Sequence, residues 1–146
     1  MMLDSIMTHQ VITVSMDDTL ADVRRVLGTY HIHHAVVIER GKVVGIVSDR
    51  DLLSHISPFV GTSTERRVDA ESLDRKVHQV MTRKLVVATP ATTVEEAAAL
   101  LLAHSISCLP VVDFGGACLG IVTWRDLLRA AYPHPATGDS TKPKAA

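Results

Sequence analysis

The chain contains two copies of one sequence unit, and this internal repeat limits its fold more than any other feature. Residues 45–53 (GIVSDRDLL) and 120–128 (GIVTWRDLL) are identical at seven of nine positions, at an offset of 75. Upstream, Met7-Thr8 matches Met81-Thr82 at an offset of 74, which places one extra residue at the Gly115-Gly116 turn. Such internal self-similarity is typical of one supersecondary unit that is used more than once. The 146 residues are therefore expected to fold as two similar halves.

Each copy predicts the element order β-α-β-β-α. In the first copy, Asp17-Asp18-Thr19 can cap a helix, two β-rich runs follow around a turn at Gly41, and a second helix starts at Ser48. A unit of about 50 residues buries too little surface to be stable alone. The sequence thus predicts an α+β fold (α/β-like) in which the two copies pack as a pseudo-twofold pair. The predicted strands are Val11–Ser15, Ala35–Glu39 and Lys42–Val47, then Leu85–Thr89, Pro110–Asp113 and Ala117–Val122, and the closing helices extend to about residues 56 and 131.

The domain boundaries follow from the repeat. We predict a first repeat over residues 1–56, a linker over 57–76, a second repeat over 77–131 and a disordered tail over 132–146. The linker is charged and is expected to be a solvated connection, with a helix over its last turns, Leu73–Met81. The tail contains three prolines and no apolar period, which is typical of disorder.

Composition excludes several functional classes. With 47% hydrophobic and 3% aromatic residues the core must be aliphatic, and stacking platforms for single-stranded nucleic acid are lacking. A net charge of -1 gives no field that attracts nucleic acid or a membrane surface. The first residues lack a signal-peptide pattern, and the longest apolar run, Ala97–Ala103, is too short to span a bilayer. Cys108 and Cys118 form no CxxC motif. We therefore expect a cytoplasmic protein.

The repeated Ser48-x-x-Asp51 and Thr123-x-x-Asp126 motifs admit two interpretations. As capping boxes they would only satisfy the free backbone N–H groups of a helix start. As a binding site, the same helix start would offer N–H groups to a phosphate, with Arg50 or Arg125 as a further donor. The carboxylate would accept hydrogen bonds from ribose hydroxyls. Donors for phosphate and acceptors for ribose together indicate a nucleotide.

The two units resemble a tandem pair of CBS domains, named after cystathionine β-synthase. The resemblance is carried by the Met-Thr opening, the run Ile106–Asp113 (ISCLPVVD) and the Gly-Ile-Val-Ser/Thr-x-x-Asp-Leu motif in both copies. It implies a regulatory fold that binds adenine nucleotides in two clefts between the repeats, with the Ser/Thr-x-x-Asp motifs contacting ribose and phosphate. It also implies a homodimer. The base would be held by Gln10, Ile12, Ile32 and His33 in copy one, and by Lys84, Val86, Ile106 and Ser107 in copy two.

Two departures from the family pattern bear on the sites. Val36 stands where copy two has Pro110, so we expect a looser turn at the entry to that strand. Trp124 replaces Asp49 beside the predicted phosphate position, where it could stack on a ligand or cover the helix end. The two clefts are therefore expected to differ in affinity.

A histidine cluster, His31, His33 and His34, offers an alternative, metal-responsive site. Zinc needs three or four convergent ligands. The sequence does not complete such a set, so we predict structural or pocket-lining histidines and no bound metal or other cofactor.

The sequence predicts a stand-alone regulatory module rather than an enzyme. It shows no nucleophile with a base, no convergent carboxylate pair and no Walker-type loop. The expected ligand is AMP, ADP, ATP or a related adenosyl compound such as S-adenosylmethionine or NAD, and the regulated protein would be a separate chain. The alternative is a structural or dimerisation module without a ligand.

Overall fold

The computed structural model describes residues 1–133, so all but the first two residues of the predicted tail lie outside the described residues. Helices and strands occur in the predicted mixture, which confirms the α+β class. The strands are β1 (Thr13–Ser15), β2 (His34–Glu39), β3 (Lys42–Ser48), β4 (Cys108–Val112) and β5 (Cys118–Thr123). The helices are α1 (Leu20–Tyr30), α2 (Asp49–His55), α3 (Arg67–Glu71), α4 (Val77–Val80), α5 (Val94–His104) and α6 (Trp124–Ala131).

The described residues form two compact units whose boundaries differ from those of the sequence repeats. One unit contains residues 12–40 and 44–85, and we call it the Ser48 unit. The other contains residues 1–11, 41–43 and 86–133, and we call it the Thr123 unit. Residues 1–11 open the first sequence copy but lie in the unit that contains α6, the closing helix of the second copy. Residues 77–85 open the second copy but lie in the unit that contains α2, the closing helix of the first.

The Ser48 unit is built on a three-stranded sheet in the order β1-β2-β3, with β1 parallel to β2. Its helix α1 begins at the Thr19 cap and ends at His31, which adopts the left-handed conformation with φ 52°. The apolar residues of the helix face the sheet, as the period of 3.6 predicts. The core includes Leu20, Val23, Val37, Val47 and Val77, all fully buried.

The Thr123 unit contains an antiparallel pair, β4 and β5, beneath α5 and α6. Its core combines Leu109, Val111 and Val122 with Ala97 of α5. Leu3, from the start of the chain, is also fully buried in this cluster. The N-terminal residues are therefore part of this core.

The first strand forms only in the first copy, and there it covers Thr13–Ser15 of the predicted Val11–Ser15. The predicted strand Leu85–Thr89 is reduced to a single bridge between Ala88 and Val111. In the first copy the Val36 N–H donates to the Ile12 carbonyl at 3.2 Å, whereas Pro110 has no N–H to donate at the equivalent position. At the entry to its strand, Val36 therefore supplies a hydrogen bond that proline removes.

The Met-Thr segments lie beside the strands that lead to the predicted sites. Thr82 and Ile46 exchange backbone hydrogen bonds of 3.1 and 2.9 Å, and Thr8 and Ile121 exchange bonds of 2.9 and 3.0 Å. These close approaches require glycine on the strand. A Cβ atom at Gly45 would lie 2.8 Å from the Met81 sulfur, and one at Gly120 would lie 2.6 Å from the Met7 sulfur.

The linker is more ordered than the sequence predicts. It contains α3 and a 3₁₀ turn over Ser72–Asp74, and the helix expected over Leu73–Met81 is divided between that turn and α4. The buried Asp69 side chain accepts hydrogen bonds from the Arg66 N–H and the Ser57 hydroxyl, both at 2.8 Å. These hydrogen bonds, led by the backbone N–H of Arg66, lower the pKa of Asp69. A carboxylate is thus the organising group of this segment.

Candidate functional site

The Ser48 motif forms the junction between β3 and α2. The Asp51 carboxylate accepts from the Ser48 N–H at 2.7 Å and from the Ser48 hydroxyl at 3.0 Å. In return, the Ser48 oxygen accepts from the Asp51 N–H at 3.2 Å. The predicted capping box is confirmed, and it holds both side chains at the start of the helix.

The Thr123 motif, at the junction of β5 and α6, repeats the two hydrogen bonds to the carboxylate. The Asp126 carboxylate accepts from the Thr123 N–H at 2.8 Å and from the Thr123 hydroxyl at 3.0 Å. Arg129, one turn later, lies 3.7 Å from the other carboxylate oxygen. Both carboxylates are therefore fixed by their own helix starts.

The capping geometry by itself does not mark a binding site. The first helix of each copy begins in the same way, with Thr19 paired to Asp22 and Thr93 paired to Glu96. The Thr19 N–H donates to Asp22 at 2.9 Å, and hydrogen bonds from Thr19 lower the pKa of that carboxyl. A hydroxyl residue followed by an acid thus caps helices at predicted sites and elsewhere alike.

The residue before the second strand of each copy lies against the predicted site. The Asp49 N–H donates to the His33 carbonyl at 3.0 Å, and the Trp124 N–H donates to the Ser107 carbonyl at 3.1 Å. The structure thus brings His33 next to Ser48 and Ser107 next to Thr123. Ile32 and Ile106, one residue earlier, are half-buried and pack against the cores.

The remaining predicted base contacts divide between the units differently from the sequence grouping. Ile12 lies in the Ser48 unit, as grouped, but Gln10 lies in the Thr123 unit because Thr8 pairs with β5. Likewise Val86 lies in the Thr123 unit, whereas Lys84 lies in the Ser48 unit because Thr82 pairs with β3. Gln10, grouped with the Ser48 motif from the sequence, therefore lies in the Thr123 unit, and Lys84, grouped with the Thr123 motif, lies in the Ser48 unit.

The predicted arginine donors are exposed, but their neighbours differ. Arg50 follows Asp49, whereas Arg125 follows Trp124. The Arg125 guanidinium lies over the Trp124 ring, 5.5 Å from its centroid, within the range of a cation–π contact. The aromatic residue thus contacts the arginine at the start of α6.

The three clustered histidines occupy different environments. His31 ends α1, His33 Nδ1 lies 2.7 Å from the Asp49 carboxylate, and His34 is half-buried in β2. Burial lowers the pKa of His34. Among residues 1–133, no group of three or more histidine, cysteine or acidic side chains is placed to hold a metal ion.

The contact of Asp49 with His33 was not predicted from the sequence. Its proximity to His33 depends on the return of the chain from β2 to α2, 16 residues later. The only signal in the sequence was its replacement by Trp124 in the second copy.

Comparison with known proteins identifies the family. The CBS-domain family matches the chain twice, over residues 3–58 and 77–132. The chain belongs to the CBS-domain family. The two CBS repeats carry the Ser48 and Thr123 motifs, one in each.

The relatives of this CBS protein include both short proteins and a larger enzyme. An uncharacterized protein of Methanocaldococcus jannaschii is 34% identical over 153 aligned residues, which cover 89% of this chain and 90% of that protein. Inosine-5′-monophosphate dehydrogenase of the same organism is 35% identical over 135 residues, 91% of this chain but only 24% of the enzyme. The chain thus spans about a quarter of that enzyme's length.

A solved structure of similar fold contains a nucleotide. The CBSX2 protein, crystallised in complex with AMP, is 28% identical, with a TM-score of 0.74 over 89% of this chain and 95% of that one.

Within residues 1–133, this chain has no helix with the length and hydrophobicity needed to cross a membrane.

Proposed function

We propose that this CBS protein is a regulatory module that binds an adenine nucleotide at the Ser48 and Thr123 motifs. The carboxylates of Asp51 and Asp126 would accept hydrogen bonds from the ribose hydroxyls. The N–H groups at the helix starts, with Arg50 and Arg125, would donate hydrogen bonds to the phosphate. His33 and Ser107, which adjoin the two motifs, would contribute to the pocket for the base.

The observation that carries the proposal is the duplication of one local geometry. In both units an aspartate carboxylate accepts from the N–H of the Ser or Thr that precedes the helix. The first N–H of the helix donates to the carbonyl of His33 or Ser107. The corresponding distances in the two units agree to within about 0.1 Å. The similarity to a protein crystallised with AMP supports an adenosine ligand. The similarity to part of inosine-5′-monophosphate dehydrogenase supports a regulatory role.

Ligand binding would regulate by favouring one conformation of the module over another. Such a shift requires that the ligand bind the two conformations with different affinities. We propose that the regulated partner is a separate protein chain, contacted by the surface that changes.

A thermal-shift screen tests the binding proposal. A ligand at a hundredfold excess over its Kd stabilises the folded state by about 2.7 kcal/mol. For a domain of this size we expect a rise in Tm of roughly 5 to 10 °C with AMP, ADP or ATP. The double substitution Asp51→Ala and Asp126→Ala should abolish that rise.

The control separates ligand contacts from helix capping. Asp22→Ala removes the equivalent carboxylate from the capping box of α1, so it should lower the basal Tm comparably and leave the ligand-induced rise intact. If the Asp51 and Asp126 variants retain the rise, the site assignment fails. If no adenosine compound raises the Tm of the unmodified protein, the capping boxes are structural only and the dimerisation function is favoured.

The second candidate function, assembly into a homodimer, is favoured by exposed apolar side chains on helices of both units. Leu53 on α2 and Leu102 on α5 are 83% and 82% exposed. Leu128 and Tyr132, near the end of α6, are also exposed. Exposed large apolar side chains indicate an interaction site where they lie together, as on the packed helices α5 and α6 of the Thr123 unit.

A further inference from the structure

The two Ser/Thr-x-x-Asp sites differ in charge at the first residue of the helix. Helix α2 begins Asp49-Arg50-Asp51, with two carboxylates for one guanidinium. Helix α6 begins Trp124-Arg125-Asp126, with one carboxylate for one guanidinium. Because the remaining motif geometry is duplicated, the added carboxylate is a specific difference between the sites.

Asp49 is held in place by two contacts with one residue. Its carboxylate lies 2.7 Å from His33 Nδ1, and its N–H donates to the His33 carbonyl at 3.0 Å. Both side chains are about half exposed, 52% each, so solvent and a ligand can reach them. The nearby charged and titratable groups are Asp51 and the half-buried His34. Burial lowers the pKa of His34, and the carboxylates of Asp49 and Asp51 act in the opposite direction.

The equivalent pair in the Thr123 unit lacks a carboxylate. Trp124 and Ser107 share the same backbone hydrogen bond, at 3.1 Å, but neither side chain carries a charge. Trp124 instead lies under the Arg125 guanidinium. The start of α6 therefore presents a cation and an aromatic ring where α2 presents a carboxylate and an imidazole.

We infer that Asp49, positioned by His33, is a specificity-determining residue that makes the Ser48 site disfavour phosphorylated ligands. This inference rests on the proposed nucleotide sites. A fixed like charge beside the binding position selects against an anionic group, which is how sites reject an otherwise similar ligand. Of the two proposed nucleotide sites, the Ser48 site thus binds a phosphorylated adenosine compound more weakly than the Thr123 site does.

Calorimetric titration of the full chain at pH 8 with two probes, AMP and adenosine, tests the inference. Repulsion between exposed charges a few Å apart is worth about one order of magnitude in affinity. For the unmodified protein we therefore expect AMP to fill one site and to bind the second roughly tenfold more weakly. Asp49→Asn preserves the side-chain shape and removes the charge, so it should strengthen AMP binding at the weaker site roughly tenfold relative to adenosine binding at the same site.

The reciprocal variant keeps the test independent of one substitution. Trp124→Asp places a carboxylate at the start of α6 and should weaken the tighter AMP site roughly tenfold. Asp74→Asn is the matched control, because it makes the same change in net charge at an exposed position in the 3₁₀ turn of the linker. It should leave both AMP affinities unchanged, and circular dichroism checks that each variant is folded.

The outcomes separate the inference from the proposed function. Two equal AMP sites in the unmodified protein, or no effect of Asp49→Asn on AMP, would overturn the inference while leaving nucleotide binding established. An equal effect of Asp74→Asn would assign the selectivity to overall charge and overturn it as well. If neither AMP nor adenosine binds, the proposed function and the inference fail together.

Discussion

At the scale of single residues, two glycines make the duplicated architecture possible. A Cβ atom at Gly120 would lie 2.6 Å from the Met7 sulfur and 3.0 Å from the Thr8 carbonyl oxygen, so the Met7 side chain and the Thr8 backbone would both have to shift. We predict that Gly120→Ala lowers the free energy of unfolding by about 1–3 kcal/mol, the usual cost of overpacking a close contact. Chemical denaturation of the purified variant measures this change.

Gly28 provides the matched control for that substitution. It lies within α1, and a Cβ atom there would have no neighbour within 4 Å. Gly28→Ala should therefore stabilise the protein by up to about 1 kcal/mol, because alanine is the better helix former. If both substitutions change the free energy of unfolding in the same direction, the close approach of Met7 and Thr8 is not the reason that residue 120 is glycine.

At the scale of secondary structure, one hydrogen bond separates a full strand from a bridge. Val36 and Pro110 are both fully buried at equivalent positions, but only Val36 donates to the segment beside it. We predict that Val36→Pro destabilises the protein by at least about 1 kcal/mol, the typical net value of a backbone hydrogen bond. Thermal unfolding measures the loss, and hydrogen exchange should become faster along β1. A variant as stable as the unmodified chain would contradict this explanation.

The elements also show which structural features follow from local sequence. The helix starts at Thr19, Ser48, Thr93 and Thr123 were predictable, because each carries its own hydroxyl and acid within one turn. The loss of the strand at Leu85–Thr89 was not, because it depends on a missing N–H in a strand more than 20 residues away. The contact between Asp49 and His33 was likewise beyond local patterns.

At the scale of the whole molecule, the repeat predicted two halves but not the exchange of their opening segments. Met7-Thr8 begins the first copy in sequence, yet Leu3 and Met7 complete the core of the Thr123 unit. Val77, Val80 and Met81 complete the core of the Ser48 unit in the same way. Aligning two copies compares residues within each, so it cannot show which copy a segment contacts. For this reason Gln10 and Lys84 lie in a different compact unit from the motif with which the sequence grouped them.

The exposed helix faces lead to a prediction about assembly. Within the Thr123 unit α5 and α6 pack together, and Leu102 and Leu128 remain 82% and 49% exposed. Burial of a leucine side chain contributes about 1.5–3 kcal/mol, so covering these residues by a second copy would favour association. We predict that the protein is a dimer by light scattering and that Leu102→Glu with Leu128→Glu converts it to a folded monomer. Phe114→Ser changes an exposed aromatic residue between β4 and β5 and should leave the mass unchanged. A monomeric unmodified protein, or a dimer that survives the double substitution, would assign these leucines no role in self-association.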